Sequence, residues 1–296
     1  MSFSFDFAVI GGDNRQLFLA DLLTQKQFKV CYYGLSPCNL PGNYLPCFRN
    51  ETITATSSLK EAIEGAKYII GPTPFCKDKT NITSSSTLGI LVDDFLSFCS
   101  PEQTIYAGAI PKHIMETAKN SGLKMIDIME WEHVSMLNGI ATAEGAICEA
   151  IRNSMINLQG SKVLVLGFGK CGQILAKKLA ALDANVYVSV RKYDVLSMAL
   201  AYGYHGFLLD ELKDYVSDFD FIFNTIPAMI LGKNMLIQIK KETAIIDIAS
   251  SPGGVDYNYA GDHCYNAGLF LGLPGIMSPK SSAKIQLDAI LNDCNK

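Results

Sequence analysis

Short apolar runs alternate along the whole chain with stretches whose apolar residues fall every third or fourth position. In the first 130 residues the runs are "FDFAVI", "KVCYYG", "KYIIGPTP", "TIYAGAIP" and "KMIDIME". Runs this short, bounded by Gly, Pro and Ser, read as buried strands, and the stretches between them as covering helices. The pattern predicts a parallel sheet with flavodoxin-like winding. A second series follows: "KVLVLG", "NVYVSV", "FDFIFNTIP", "TAIIDIAS" and "LFLGLPG". Together they predict an α/β fold of two Rossmann-like, doubly wound parallel-sheet domains.

Between the series, "TAEGAICEAIRNSMINL" (142–158) spaces its apolar residues as a helix that ends near Gly160. At the end of the chain, Ile285, Leu287, Ile290 and Leu291 mark another. The expected division is therefore an N-terminal substrate or partner domain (1–141), a linker helix (142–160), a Rossmann domain (161–280) and a C-terminal helix (281–296) that packs back on the first domain. The prolines of "LSPCNLPGNYLPCFRN" predict an irregular surface connection. No repeat of solenoid length appears.

Composition narrows the class. At 296 residues, with 49% of them apolar and 18% charged, the chain is long enough for two cores and unlike a disordered protein. A net charge of −4 without a basic tract gives no reason to expect nucleic acid as a partner. No run reaches the length of a membrane span and the start lacks a signal-peptide pattern, so a cytoplasmic protein is expected. Nine cysteines without a C-x-x-C pair suit reduced thiols rather than disulfides or structural zinc.

The strongest chemical signal is "KVLVLGFGKCGQ". Gly167, Gly169 and Gly172 occupy G-x-G-x-x-G positions between a strand and a helix. There the first glycine permits the turn, the second leaves room for a pyrophosphate and the third lets helix and strand approach. Phe168, Lys170 and Cys171 complete the loop, and the helix N-terminus faces the phosphates. An NAD site places a carboxylate about 20 residues further on. Here that window reads Ser189, Val190, Arg191, Lys192, with no acid before Asp194. A guanidinium fork, a second cation and a hydroxyl suit the 2′-phosphate of NADP; an ordinary solvated cation pair is the competing explanation. Asn224, Thr225, Ile226 and Pro227 in "NTIPA", and Ala249 and Ser250 in "DIASSPGGVD", follow later strands and are expected at the same crevice. Gly253 and Gly254 equally suit a turn alone.

"GFGKCG", "NTIPAMIL", "IDIASSPGGVD", "GLPGIMSPKSSAKI", "GGDNRQ" and "NGIATAEGAI", spread from residue 8 to 292, resemble the A subunit of dipicolinate synthase from spore-forming bacteria. The resemblance implies an NADP-dependent oxidoreductase in a D-2-hydroxyacid dehydrogenase-like arrangement, at work in the mother cell during sporulation. It also implies a small dicarboxylate substrate, a dihydro- or tetrahydrodipicolinate precursor, together with a flavoprotein-like second subunit. Homo-oligomerisation stays open, as do a stand-alone amino-acid or hydroxyacid dehydrogenase and a non-catalytic scaffold subunit. Lys170-Cys171 stands where the family often has Arg-Thr, Ala141 where it has Pro, and Ser281 where it has Thr. Cys171 is either an oxidisable group at the site or a small buried thiol.

A dicarboxylate calls for cations or helix N-termini. Arg15 in "GGDNRQ" and Lys280 in "SPKSS", with Ser281 and Ser282, are the candidates, each weighed against a surface role. Glu144, Thr142 and Asn138 in "NGIATAEGAI" are placed by the resemblance near the interdomain cleft, as candidates for proton handling or ring orientation; an acid capping the linker helix explains Glu144 equally well. Of His113, His133, His205 and His263, none has metal-ligand spacing, and only His113 follows a strand end. No metal is expected.

Overall fold

The computed structural model describes residues 3–36, 53–76, 78 and 80–295. Most of the expected irregular connection, from residue 37 on, lies outside these residues, as do Cys38 and Cys47. The chain forms two compact units, Met1–Leu137 with Ser278–Lys296, and Asn138–Met277.

The first unit follows the order β1 (Phe5–Ile10), α1 (Asn14–Gln25), β2 (Val30–Tyr33), β3 (Ile53–Ala55), α2 (Leu59–Glu64), β4 (Ala66–Ile70), α3 (Val92–Phe98), β5 (Thr104–Ala107), α4 (Lys112–Asn120) and β6 (Lys124–Asp127). Its parallel sheet has the order β3-β2-β1-β4-β5-β6. This is a doubly wound order, and β3 adds a sixth strand, beyond β2, to the five runs read from the sequence. At three residues, β3 is too short for any period to announce it.

Side chains alternate across the sheet with period two. Phe7 and Val9 enter one core with α1, whereas Ala8 and Ile10 enter the other with residues of α2, α3 and α4. Helix α12 (Pro279–Cys294) places Ala283, Leu287 and Ile290 in the first of these cores beside Leu17 and Ala20 of α1. Leu287 and Ile290 are fully buried, each worth roughly 2 kcal/mol by area.

Helix α5 (Glu132–Arg152) begins ten residues before the expected linker helix and ends before residue 158, and the division between units falls inside it. Gly139 hides this extension, because glycine lowers helix propensity by about 1 kcal/mol. The structure explains the glycine: a Cβ there would press on Ile174 at 3.1 Å.

The second unit continues with β7 (Lys162–Leu166), α6 (Lys170–Ala181), β8 (Asn185–Val190), α7 (Tyr193–Ala201), β9 (His205–Leu208), α8 (Leu212–Tyr215), β10 (Phe221–Asn224), α9 (Lys233–Leu236), β11 (Ala244–Asp247), α10 (Tyr257–Asp262), β12 (Ala267–Leu269) and α11 (Leu273–Met277). The sheet order is β12-β11-β10-β7-β8-β9, all parallel. Val163 and Val165 face α6 and Ala143, Ala146 and Ala150 of α5, while Leu164 and Leu166 enter the opposite core. Strand β9 escapes the sequence pattern because Gly206 interrupts it. A Cβ at Gly206 would lie 2.7 Å from Leu196, so the glycine lets α7 approach the strand.

Candidate cofactor site

Strand β7 ends at Leu166, and the chain turns through Gly167 at φ +93°, where a Cβ would also meet Thr225 Oγ1 at 2.5 Å. Gly169 is the N-cap of α6 and caps it with no side chain. A Cβ at Gly169 would meet no atom within 4 Å, whereas one at Gly172 would collide with the Gly167 carbonyl oxygen. The three glycines therefore keep the roles read from the motif: turn, open approach and close helix packing.

In front of this turn lies a hollow of about 730 Å³. Gly167, Phe168 and Gly169 form one wall, Thr225, Ile226 and Pro227 another, and Val190, Arg191, Lys192 and Val195 the third. Phe168 is backed by the rings of Tyr202 and Tyr204, at centroid distances of 6.2 and 5.9 Å. Thr225 donates from Oγ1 to the Leu166 carbonyl at 2.8 Å, which fixes its wall to the end of β7. Arg191 and Lys192 are exposed, and no carboxylate among the described residues lines the hollow; Asp194 sits in the first turn of α7 outside the lining.

Two expected contacts are corrected. Ser189 is wholly buried in β8, on the opposite side of the strand from Val190, and its hydroxyl has no partner among the described residues. The period of two turns it away from the hollow. Asn224 is also wholly buried and committed internally: Nδ2 donates to Asp247 Oδ1 (2.9 Å) and the Ile226 carbonyl (3.0 Å), and Oδ1 accepts from Ile226 N–H (3.1 Å). It shapes the "NTIPA" turn and offers no group to a ligand. Ala249 is buried and Ser250 exposed, and neither lines the hollow. Lys170 and Cys171 open α6 outside the lining. Burial pushes the Cys171 thiol up to about 11, which favours the small buried thiol.

Asp247, which carries no motif of its own in the sequence, organises this edge of the sheet. Fully buried, it accepts from Asn224 Nδ2, Ala249 N–H (2.9 Å), Gly254 N–H (2.6 Å) and Tyr257 Oη (2.6 Å). Four donors satisfy a buried carboxylate that would otherwise be costly. The signal that could have found it is an acid ending an apolar strand ahead of two glycines. Burial and the bond to Asp247 raise the Tyr257 phenol well above its ordinary range.

In the first unit, Arg15 is 4% exposed. Its Nε and Nη2 donate to Asp13 at 2.9 and 2.7 Å, and Nη2 also donates to the Thr73 carbonyl. Asp13 caps α1 and forms a capping box with Gln16. Lys280 is exposed in the first turn of α12; burial raises the Asp21 carboxyl, and the Gln25 hydrogen bond and the Lys280 charge lower it. Ser281 is exposed and Ser282 buried.

The grouping of Glu144 with Thr142 and Asn138 is corrected. Successive helical residues are turned by about 100°, so Glu144 stands on the far side of α5 from Thr142. Glu144 pairs with Lys178 of α6 at 2.8 Å, and Thr142 donates to the Asn138 carbonyl at 3.2 Å. Glu144 also lies mid-helix and caps nothing. His113 is exposed, while His133, His205 and His263 stack on Trp131, Tyr187 and Tyr259. Among the described residues no cluster of metal-ligating side chains occurs, the cysteines are free, and no helix is long and apolar enough to cross a membrane.

Residues 139–252 match the family described as D-isomer specific 2-hydroxyacid dehydrogenase, NAD binding domain. With the glycine loop and hollow, this defines the second unit as a nicotinamide dinucleotide domain and the chain as an oxidoreductase. Residues 6–129 match the family of N-terminal domains of the dipicolinate synthase A subunit. The A subunit of dipicolinate synthase from Bacillus subtilis (strain 168) is 33% identical over 293 residues, covering 94% of this chain and 92% of that protein. The chain belongs to the family of dipicolinate synthase A subunits. The crystal structure of the A subunit from Bacillus halodurans superposes with a TM-score of 0.85 at 27% identity, covering 100% of this chain and 99% of that one. D-lactate dehydrogenase of Escherichia coli shares the fold, with a TM-score of 0.67 at 15% identity over 98% of this chain and 96% of its own.

Proposed function

We propose that the chain is the NADP-dependent oxidoreductase subunit of a dipicolinate synthase. It acts in the cytoplasm of the sporulating mother cell, alongside a flavoprotein-like second subunit, on a dihydro- or tetrahydrodipicolinate precursor. The observation that carries the cofactor assignment is the pair Arg191 and Lys192, both exposed on a hollow that no carboxylate lines among the described residues. The cradle fits the group: open space in front of Gly169 admits a pyrophosphate, and the uncapped first turn of α6 presents backbone N–H groups to it. Arg191 supplies a planar fork to a 2′-phosphate and Lys192 a second charge. Ile226 and Pro227 form an apolar wall that excludes water.

A dihydropyridine dicarboxylate reaches the aromatic ring by losing one hydride and one proton. The nicotinamide, when bound, supplies the hydride acceptor; the chain's share is positioning and charge. Arg15 is our anchor for one substrate carboxylate. Asp13 and the Thr73 carbonyl hold its guanidinium in place, and Nη1 makes no hydrogen bond among the described residues. Lys280 is the second candidate cation. Glu144 receives no proton-handling role, because its partner is Lys178.

Calorimetric titration of the full chain with NADP and with NAD tests the assignment. An affinity for NADP at least about tenfold higher is expected, a difference of about 1.4 kcal/mol; equal affinities overturn it. With the tetrahydrodipicolinate precursor and the second subunit present, absorbance of reduced nicotinamide should rise; a flat trace in the complete mixture counts against the activity.

A further inference from the structure

The loop "GPTPF" follows β4 and sets Thr73 between two prolines, which fix the backbone on either side of it. Backbone hydrogen bonds tie this loop to its neighbours. Gly108 N–H donates to the Pro72 carbonyl at 3.1 Å and Phe75 N–H to the Gly108 carbonyl at 2.8 Å. Thr83 N–H donates to the Phe75 carbonyl at 2.9 Å, and Gly12 N–H to the Thr83 carbonyl at 2.7 Å. The loops so joined meet at the carboxyl ends of β1 and β4, which pair in the middle of the sheet. The strand order reverses there, and an open α/β sheet takes its ligand at such a point.

Three groups at this point have no partner among the described residues. Asp13 takes the Nε and Nη2 side of the Arg15 guanidinium and the Thr73 carbonyl also takes Nη2, so the two N–H bonds of Nη1 stay free. Thr73 is only 7% exposed, yet its hydroxyl makes no hydrogen bond, and neither does the buried hydroxyl of Thr83. Gly108 leaves the room that the Thr73 hydroxyl fills, since a Cβ there would lie 2.2 Å from Oγ1. Buried polar groups lower stability until something completes them. All of these can donate, and they belong to loops gathered around one cation, which is the complement of an anion rich in lone pairs. We propose that Thr73 and Thr83 complete, with Arg15, a subsite for one carboxylate of the substrate, each donating its hydroxyl hydrogen to a carboxylate oxygen while Nη1 donates beside them. The proposal rests on the reading of a pyridine dicarboxylate chemistry and adds to its arginine anchor the two residues that set specificity. Asp13 already offsets the arginine charge, which favours a singly charged carboxylate over a phosphate dianion.

Calorimetric titration of the full chain with pyridine-2,6-dicarboxylate, in buffer free of the divalent ions that this ligand chelates, tests the proposal. Thr73→Val and Thr83→Val should each weaken binding by about 10- to 100-fold, the worth of a hydrogen bond to a charged group. Thr73→Ser keeps the hydroxyl and should stay within about threefold of the parent. Neither hydroxyl has a partner in the protein, so both valine variants should unfold in urea at or above the parent's midpoint. Undiminished affinity in either valine variant, where the parent binds, overturns the subsite and leaves the proposed reaction standing. A lowered midpoint overturns it equally, because the hydroxyl then serves the fold. Displacement of the dicarboxylate by millimolar inorganic phosphate assigns the donors to phosphate and overturns it too. A parent that binds no pyridine dicarboxylate at millimolar concentration overturns the substrate reading, and the subsite with it.

Discussion

Tyr257 donates its hydroxyl to Asp247 Oδ2 across 2.6 Å, and the same carboxylate receives Asn224 from the neighbouring strand. Through this one buried group the "NTIPA" turn, which walls the hollow, is tied to the loop after β11. Tyr257→Phe should cost about 1.5–2 kcal/mol in urea denaturation, the lower part of the usual range for a hydrogen bond to a charged group. Asp247→Ala should cost more, about 3 kcal/mol, because it leaves several buried donors unpaired. If both variants unfold at the parent's midpoint, the network does not hold the loops.

The raised Tyr257 phenol also fixes the sign of an alkaline effect. A group whose folded pKa lies above its unfolded value lends stability that is complete below the unfolded value, here 10, and declines as pH rises beyond it. The parent should therefore lose stability above pH 10, and Tyr257→Phe should lose less over the same interval. Denaturation midpoints at neutral and alkaline pH measure the difference, and parallel losses refute the link.

Two glycines of one motif should respond differently to alanine. Gly172→Ala drives a methyl into the Gly167 carbonyl oxygen and should destabilise the fold by about 1–3 kcal/mol. Gly169→Ala points its methyl into open space at an ordinary φ of −76°, so its stability should stay within about 1 kcal/mol of the parent. Dinucleotide affinity should nevertheless fall at Gly169→Ala, because the methyl occupies the approach to the pyrophosphate. Thermal melts with and without NADP separate the two effects; an undiminished ligand-induced shift in Gly169→Ala removes that glycine from the site.

The parts of the site that were legible are those fixed by neighbours in sequence. A glycine triplet between strand and helix dictates its own backbone, and a strand end places Arg191 and Lys192 at the crevice wherever the remaining strands lie. The errors fell where a distant partner decides. Ser189 has the chemistry of a phosphate ligand, yet the alternation of β8 turns it into the core. Asn224 is consumed by Asp247, 23 residues further on, and Glu144 by Lys178, 34 residues on. Neither pairing leaves a periodic signal. The fold shows the same division: long apolar strands announced themselves, while β3 and the glycine-interrupted β9 became strands only through the sheet beside them.

Cys171 tests whether a thiol beside the glycine loop is reactive. Burial pushes it up to about 11, so at pH 8 only a small fraction is thiolate, the form that attacks alkylating reagents. The exposed Cys264 should react with iodoacetamide first, and labelling of Cys171 should accelerate as pH rises toward 11. Mass spectrometry of tryptic peptides follows both sites. Labelling of Cys171 ahead of Cys264 at pH 8 contradicts its neutral, shielded state.

Arg191 and Lys192 bear on the choice between two coenzymes that differ by one phosphate. A cation meeting that phosphate stabilises NADP alone, because the unphosphorylated ribose gives it no anion to pair with. Arg191→Ala should therefore weaken NADP by about 10- to 100-fold, the equivalent of one charge-assisted contact, and leave NAD within about twofold. Lys192→Ala should act in the same direction by less, since an ammonium is a strongly hydrated point charge and a guanidinium a planar fork. Arg191→Lys separates charge from geometry: partial recovery of NADP affinity indicates that charge alone is read, and none indicates the fork. Salt adds an independent reading, because raising ionic strength should weaken NADP more than NAD in the parent and equally in the double alanine variant. Equal losses of both coenzymes in Arg191→Ala would instead assign the residue to the shape of the hollow, and the preference for the phosphorylated coenzyme would need another source.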